Sequence, residues 1–324
     1  MKLIFMGTPR FAVPVLEKLI EKGHDIGYVV TQPDRARNRG KVTFSPVKEV
    51  AVEHGIAVLQ PENINKSLED KAKLKDFCAD AIIVAAYGQI LKKDILDMTK
   101  LGCLNVHGSL LPRLRGAAPI QQAILQGDKK TGVTIMKMDE GLDSGEMISK
   151  AETEIGDKNF IKVHDELSYM GAELMAETLP LIEAGKVEYE KQDDRLSTYA
   201  PRIEKQDGEV DFKDSAFQIC RKIRAFDPWP GAFCRYKDGN MKLWKAVAYC
   251  DKISENPETC EEKMPGEQEI LKPGTVLSAD SDGISVKCGV GVLRIEELQL
   301  PGKKRTNAAD FIRGHRIEVG EMFK

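Results

Sequence analysis

An open, mostly parallel α/β sheet of Rossmann-like type, followed by a small β-rich domain, is the architecture this 324-residue sequence predicts. Three observations carry it. In the first half, short apolar runs alternate with stretches of helical spacing. The breaks fall at Gly, Pro and Ser placed as helix starts and stops. In the last third the helical period gives way to short runs bounded by Gly, Pro, Asp and Asn.

Residues 2–6 form an apolar run that ends at Gly7-Thr8-Pro9 and reads as a first buried strand. The run is too short for a signal-peptide core or a membrane span. Phe11 to Glu21 reads as a helix with Leu16, Leu19 and Ile20 on one face and Gly23 as its stop. Ile26 to Thr31 is a second strand. Ser45-Pro46 starts a helix, with serine as cap and proline in the first turn, and Gly55 ends it. Ala81 to Ala85 and Gly102 to His107 are further strands, Pro119 to Gln126 a short helix, and Gly132 to Met138 another strand. Asn159 to Ala184 has Val163, Leu167, Met170 and Leu174 at helical spacing, which predicts a core-facing helix. Residues 190–206 are polar and aperiodic and read as a linker. Met241–Val247, Gly274–Leu277, Ile284–Cys288 and Val292–Ile295 predict a small barrel of the oligonucleotide-binding (OB-like) type. The predicted domains are 1–189 for catalysis, 190–206 as linker and 207–324 as the β-rich C-terminal domain.

Composition narrows the function classes. Net charge is −3, so nucleic-acid binding would need a local basic patch. Seven cysteines without a CxxC pair argue against a zinc site or a disulfide framework, and fit a reducing cytoplasm. No GxxxxGK[ST], HExxH or GxGxxG occurs, so neither a metal nor a nucleotide cofactor is expected.

The chemistry concentrates in Asn105-Val106-His107-Gly108-Ser109-Leu110-Leu111-Pro112 and in Asp139-Glu140-Gly141-Leu142-Asp143-Ser144-Gly145. Two-residue spacing puts Asn105 and His107 on one face at the end of a strand, where ligands bind such sheets. The second segment also follows a strand, so it is expected to reach the same edge, with Asp143 bracketed by glycines in an unusual conformation. An amide, an imidazole and a carboxylate suit acyl transfer to an amine. Asn105 can donate to the oxyanion, His107 can take the amine proton, and Asp143 can orient the imidazole. Residue physics alone leaves this open between turn chemistry and an active site.

The first segment, with Arg115-Gly116-Ala117-Ala118-Pro119, resembles the signature of the folate-dependent formyltransferases, and the second segment resembles that family's other signature. The resemblance implies Asn105, His107 and Asp143 as catalytic residues and Ser109, Leu110, Leu111 and Pro112 as a folate-binding loop. It also implies main-chain contacts to the pterin around Tyr87, Gln89 and Ile90. The implied donor is 10-formyltetrahydrofolate. Within the family, Met6-Gly7-Thr8-Pro9, Thr31-Gln32-Pro33-Asp34-Arg35, Arg39-Gly40-Lys41 and Tyr199-Ala200-Pro201-Arg202-Ile203 resemble the branch whose acceptor is the α-amine of an aminoacylated initiator tRNA. So does Phe226-Asp227-Pro228-Trp229-Pro230-Gly231-Ala232.

That acceptor gives the basic loop a use. Arg35, Arg37, Arg39, Lys41 and Lys48 crowd residues 31–48, with Asp34 the loop's only acid. A cationic loop can neutralise phosphates, and arginine can read base edges. Arg39 is the foremost candidate, joined by Lys41, Arg35 and Arg37. A second basic cluster, Lys303, Lys304, Arg305, Arg313 and Arg316, is placed to meet tRNA or to serve as ordinary surface charge. Trp229 is expected in a core or domain interface. The expected partners are folate and tRNA, with no membrane and the chain a monomer. The alternatives are a formyltransferase acting on a sugar or nucleotide amine, and a non-catalytic folate- or RNA-binding protein.

Overall fold

The computed structural model describes residues 1–34, 36–37, 41–237, 239–250 and 271–324. In chain order the first half contains β1 (Lys2–Gly7), α1 (Val13–Glu21), β2 (Asp25–Val30), β3 (Ala36–Arg37), β4 (Lys41–Val42), α2 (Pro46–Glu53), β5 (Ala57–Leu59) and α3 (Leu68–Asp76). There follow β6 (Ala81–Ala85), α4 (Lys93–Leu96), β7 (Cys103–His107), β8 (Arg115–Gly116), α5 (Pro119–Gln126), β9 (Lys130–Lys137), β10 (Met147–Glu154), α6 (Phe160–Glu183) and β11 (Tyr199–Ala200). The chain divides into two compact units: 1–120, 129–156 and 162–201 in the first, and 121–128, 157–161 and 202–324 in the second.

The first unit is built on a seven-stranded sheet in the order β10-β9-β7-β6-β1-β2-β5. The ladders from β5 to β7 are parallel, while β7 with β9 and β9 with β10 are antiparallel. Alternation along the parallel strands buries both faces. Ile4, Met6, Val30, Ile82 and Val84 pack with Leu74, Leu91 and Ile95 in one cluster. Val106 lies on the opposite face from Asn105 and His107, close to Gly171 of α6.

β9 corrects one expectation. Met138 N donates to Cys103 O, so the segment carrying Asp143 leaves the sheet beside the start of β7, away from its carboxyl end. A hydrophobic run does not encode strand direction. Residues 138–146 must therefore fold back over the sheet to reach His107.

The second unit contributes α7 (Ala216–Ala225), β12 (Ala232–Tyr236), β13 (Gly239–Tyr249), β14 (Val276–Asp280), β15 (Gly283–Lys287), β16 (Val292–Gln299), β17 (Thr306–Asn307) and α8 (Ala308–Gly314). Its strands form an antiparallel sheet in the order β12-β13-β16-β15-β14, with β17 beside β16. Ile219 and Ile223 of α7 share a core with Leu243, Val286, Leu293, Ile295 and Phe311. Trp229 is 54% exposed, so the expectation that it is buried fails. Among the described residues Cys78, Cys103, Cys220, Cys234 and Cys288 are free.

Candidate active site

Asn105 and His107 sit on the last turns of β7, 7% and 6% exposed. Strand pleat sends both side chains to the face away from α6. Among the described residues the Asn105 side-chain amide has no hydrogen-bond partner, and it is not among the fully sealed polar atoms. A buried amide without a partner is costly unless a ligand completes it.

His107 has a neighbour at each ring nitrogen. Its Nε2 lies 3.0 Å from Leu114 O. A carbonyl oxygen only accepts, so Nε2 carries a hydrogen and donates. That leaves Nδ1 facing Asp143 Oδ2 at 3.7 Å, an ion-pair distance longer than a direct hydrogen bond. Beside Asp143, the Leu114 carbonyl contacts the ring from the other side.

Asp143 arrives through the fold-back of residues 138–146. Asp139 Oδ1 accepts from Gly141 N at 3.0 Å and from the Ser144 hydroxyl at 2.8 Å, closing a turn around its own carboxylate. A side chain at Gly145 would meet Lys137 O at 1.8 Å, so only glycine fits there. Asp143 itself has φ 50° and Leu114 has φ 59°, both left-handed. Gly116 N donates to Asp143 Oδ2 at 2.9 Å, joining the two signature segments.

The loops expected to hold folate, 86–92 and 108–114, leave the carboxyl ends of the adjacent strands β6 and β7, so they emerge at one edge of the sheet. Their side chains act chiefly on the loops themselves. Ser109, 1% exposed, donates its hydroxyl to Arg113 O at 2.7 Å, and Ser109 O accepts from Thr134 Oγ1 at 2.7 Å. Leu111 N donates to the same Thr134 hydroxyl at 3.1 Å, and the Leu111 side chain packs with Met136 and Met147. Leu110 and Pro112 are half-buried. The Tyr87 side chain lies in the sheet core, and burial pushes its phenol above the ordinary tyrosine value. Tyr87 O accepts from Gln32 Nε2 and Thr8 Oγ1. Gln89 Oε1 accepts from Ile64 N at 2.9 Å, tying this loop to the turn between β5 and α3, while Ile90 is 75% exposed.

Of the cationic loop, Arg35 and Arg39 lie outside the described residues. Arg37 and Lys41 are described in backbone only, paired across the β3–β4 ladder. Lys48 departs from the expected free cation. Its ammonium donates to Asp34 and to Gln60 Oε1, and it lies 4.0 Å from the Phe44 ring centroid. Gln60 Nε2 donates in turn to Asp34 Oδ1 and Gln32 O, each at 3.0 Å. Burial acts to raise the Asp34 carboxyl, but the hydrogen bonds from Lys48 and Gln60 and the Lys48 charge outweigh it and hold the carboxyl below its ordinary value. A depressed carboxyl contributes stability above the unfolded value and loses it as pH falls through the folded one. Lys48→Met is expected to cost about 1.5–3 kcal/mol at neutral pH, the scale of hydrogen bonds to a charged group. The variant's further loss on acidification should be smaller than that of the wild type. Urea unfolding at pH 7 and pH 3 measures both.

In the second basic cluster, Arg305 pairs with Glu297 and Asp227, Arg313 with Asp310, and Arg316 with Glu318. Lys303 and Lys304 are exposed. Among the described residues no group of three or more His, Cys, Asp and Glu side chains is placed to hold a metal ion.

Two residues absent from the expected site touch it directly. Gln192 reaches the Asp143 loop, and Thr198 reaches Leu114. Both lie in the polar stretch whose lack of period suggests only a linker. Their partners are 49 and 84 positions away, so no local pattern could have marked them.

Comparison with known proteins shows the family. Residues 1–178 match the formyl transferase family, and residues 202–316 match the formyl transferase C-terminal domain. A methionyl-tRNA formyltransferase of Geobacter metallireducens is 45% identical, covering 99% of this chain and 97% of its own. One of Ruminiclostridium cellulolyticum is 46% identical over 99% of both chains. Among solved structures, an N-formyltransferase from Helicobacter canadensis superposes with TM-score 0.64 at 21% identity, over 91% of this chain and 99% of the other. A methionyl-tRNA formyltransferase from Clostridium thermocellum superposes with TM-score 0.53 at 18% identity, over 76% of this chain and 93% of the other. At those identities the superpositions speak for the fold. The two domain matches and the full-length relatives speak for descent, and by them this chain belongs to the formyl transferase family, in its methionyl-tRNA formyltransferase branch.

Proposed function

We infer that the protein transfers a formyl group to the α-amine of methionyl initiator tRNA, giving formylmethionyl-tRNA for translation initiation. The full-length relatives at 44–46% identity support that acceptor. The observation that carries the chemistry is the partner-free Asn105 amide beside His107, with Asp143 folded back to the same ring. The donor is a folate, as the family and its structural neighbours crystallised with folates support. We take it to be 10-formyltetrahydrofolate, seated where the loops after β6 and β7 emerge together. The first unit carries catalysis and the second holds tRNA. The chain acts in the cytoplasm as a monomer, and no described helix is long and apolar enough to cross a membrane.

The mechanism follows from the donor set. The neutral amine attacks the formyl carbon, forming a C–N bond while the carbonyl oxygen gains charge. Asn105 donates to that oxyanion. The amine proton passes to His107 Nδ1, the ring nitrogen not occupied by Leu114, directly or through a water. Asp143 stabilises the resulting imidazolium. Collapse of the intermediate breaks the bond to the folate nitrogen, and the proton returns to that leaving nitrogen. A free α-amine has a pKa near 8 (roughly), so positioning and oxyanion stabilisation matter more than deprotonation.

The test is to offer the purified protein 10-formyltetrahydrofolate with methionyl initiator tRNA and, separately, with amino sugars and nucleotide amines. Formyl on the aminoacyl ester is expected. Formyl appearing only on a small amine would overturn the assignment in favour of the sugar or nucleotide reading. Arg39→Ala is expected to lower kcat/KM for the charged tRNA while folate binding is kept. Unchanged tRNA kinetics would dismiss the loop as a tRNA contact.

A further inference from the structure

We propose that Gln192 and Thr198 are positioning residues for the reaction, holding Asp143 and His107 in their working geometry from the segment that follows α6. The proposal rests on the function given above.

Leu114 and Asp143, which flank the His107 ring, are both non-glycine residues in the left-handed region. Such conformations persist only where surroundings over-determine them, and beside the contacts from His107, Ser109 and Gly116, residues 190–200 hold both of them. Gln192 is 5% exposed. Its Nε2 donates to Asp143 O at 2.8 Å and to Gly145 O at 2.7 Å, using both hydrogens. Its Oε1 accepts from Arg115 Nε at 2.9 Å, and Arg115 Nη2 continues to Asp194 at 2.9 Å. One amide thus bolts the Asp143 loop to the Arg115 segment. The next peptide, at Gly116, donates to the Asp143 carboxylate.

Thr198 does the same for the histidine. Its Oγ1 accepts from Leu114 N and its carbonyl from Arg115 N, each at 2.9 Å. Leu114 O is the acceptor for His107 Nε2. The peptides on either side of the Leu114 side chain are therefore fixed at one end by Thr198 and at the other by the catalytic ring. The ladder between β8 and β11, the Ala117 N to Ala200 O bond and the Met147–Glu190 bridge keep the segment in register. None of these contacts is made to a reacting atom, so Gln192 and Thr198 act through Asp143 and His107.

The experiment measures formyl transfer to methionyl initiator tRNA by the full-length protein and four variants: Gln192→Ala, Gln192→Glu, Thr198→Val and Thr198→Ser. Gln192→Ala and Gln192→Glu are also made in an Asp143→Ala background. A displacement near 1 Å at a reacting centre costs on the order of 10²-fold. Gln192→Ala, Gln192→Glu and Thr198→Val are therefore each expected to lose about 10–100-fold in kcat, with KM for both substrates within about threefold of wild type. Gln192→Glu keeps the shape and the acceptor for Arg115 but offers no N–H, so it carries the test if the alanine variant does not fold. Thr198→Ser restores the acceptor and should restore kcat. In the Asp143→Ala background the Gln192 substitutions should cost no more than about twofold, because residues acting through one group are not additive. Wild-type kcat in Gln192→Glu and Thr198→Val would overturn the proposal, as would an undiminished loss in the Asp143→Ala background. A wild-type protein that never formylates methionyl-tRNA would instead refute the underlying function, and the two failures cannot be confused.

Discussion

His107→Ala is expected to lower kcat by about 10²–10⁴-fold, the range for a lost general base, which is about 2.7–5.5 kcal/mol of barrier. The ring is the meeting point of three segments: β7 supplies it, Leu114 O receives its Nε2, and Asp143 faces its Nδ1. Removing it takes away the proton acceptor and leaves Asp143 with no cation to stabilise. The fold should survive, since Leu114 O still has the Ser109 hydroxyl at 3.4 Å and Asp143 keeps the Gly116 amide. Single-turnover formyl transfer, read beside thermal unfolding, separates the two effects. Near-normal turnover in a folded variant would remove His107 from the mechanism.

Asn105→Ala should cost about 10²–10³-fold in kcat, the usual loss for one oxyanion donor, or about 2.7–4 kcal/mol. The argument is the partner-free amide. In a strand buried on both sides, an asparagine 7% exposed has desolvation to recover, and no described neighbour provides it. An oxygen that gains charge during reaction provides it best. KM should change little, because the interaction strengthens only as the tetrahedral intermediate forms. Asn105→Asp should be at least as damaging, since it sets a negative charge against the developing one. Steady-state kinetics in both substrates distinguish this from a folate-binding defect, which would raise KM for folate and spare kcat.

The sheet's parallel half was legible because its strands are continuous apolar runs with punctuated ends. Ser45 caps α2 as its sequence suggests, accepting from Lys48 N at 3.2 Å. Asn105, His107 and Asp143 are marked in the sequence by motif resemblance alone, and the structure brings His107 and Asp143 within 3.7 Å. Other features were hidden for identifiable reasons. The direction of β9 depends on which strand it pairs with, which local periodicity does not carry. α7 carries a signal in the sequence, the reciprocal capping box of Ser215 and Gln218. β12 and α8 are short elements whose apolar residues count only once they join the second core. Lys48 looked like one more loop cation because its partner Gln60 lies 12 residues on. Trp229 looked like a core residue from its type alone. Gln192 and Thr198 sit in a polar stretch whose order comes entirely from distant backbone groups.

The reversal of β9 makes the segment 138–146 a measured span. Its ends are pinned, Met138 by Cys103 O and Met147 by the bridge to Glu190, and its middle must deliver one carboxylate to one imidazole. Spare length would let the carboxylate drift, and a missing residue would pull it short. This stretch should therefore accept changes of side chain at its outward position Leu142, 51% exposed, yet resist any insertion or deletion, as a gauge tolerates repainting but not recutting.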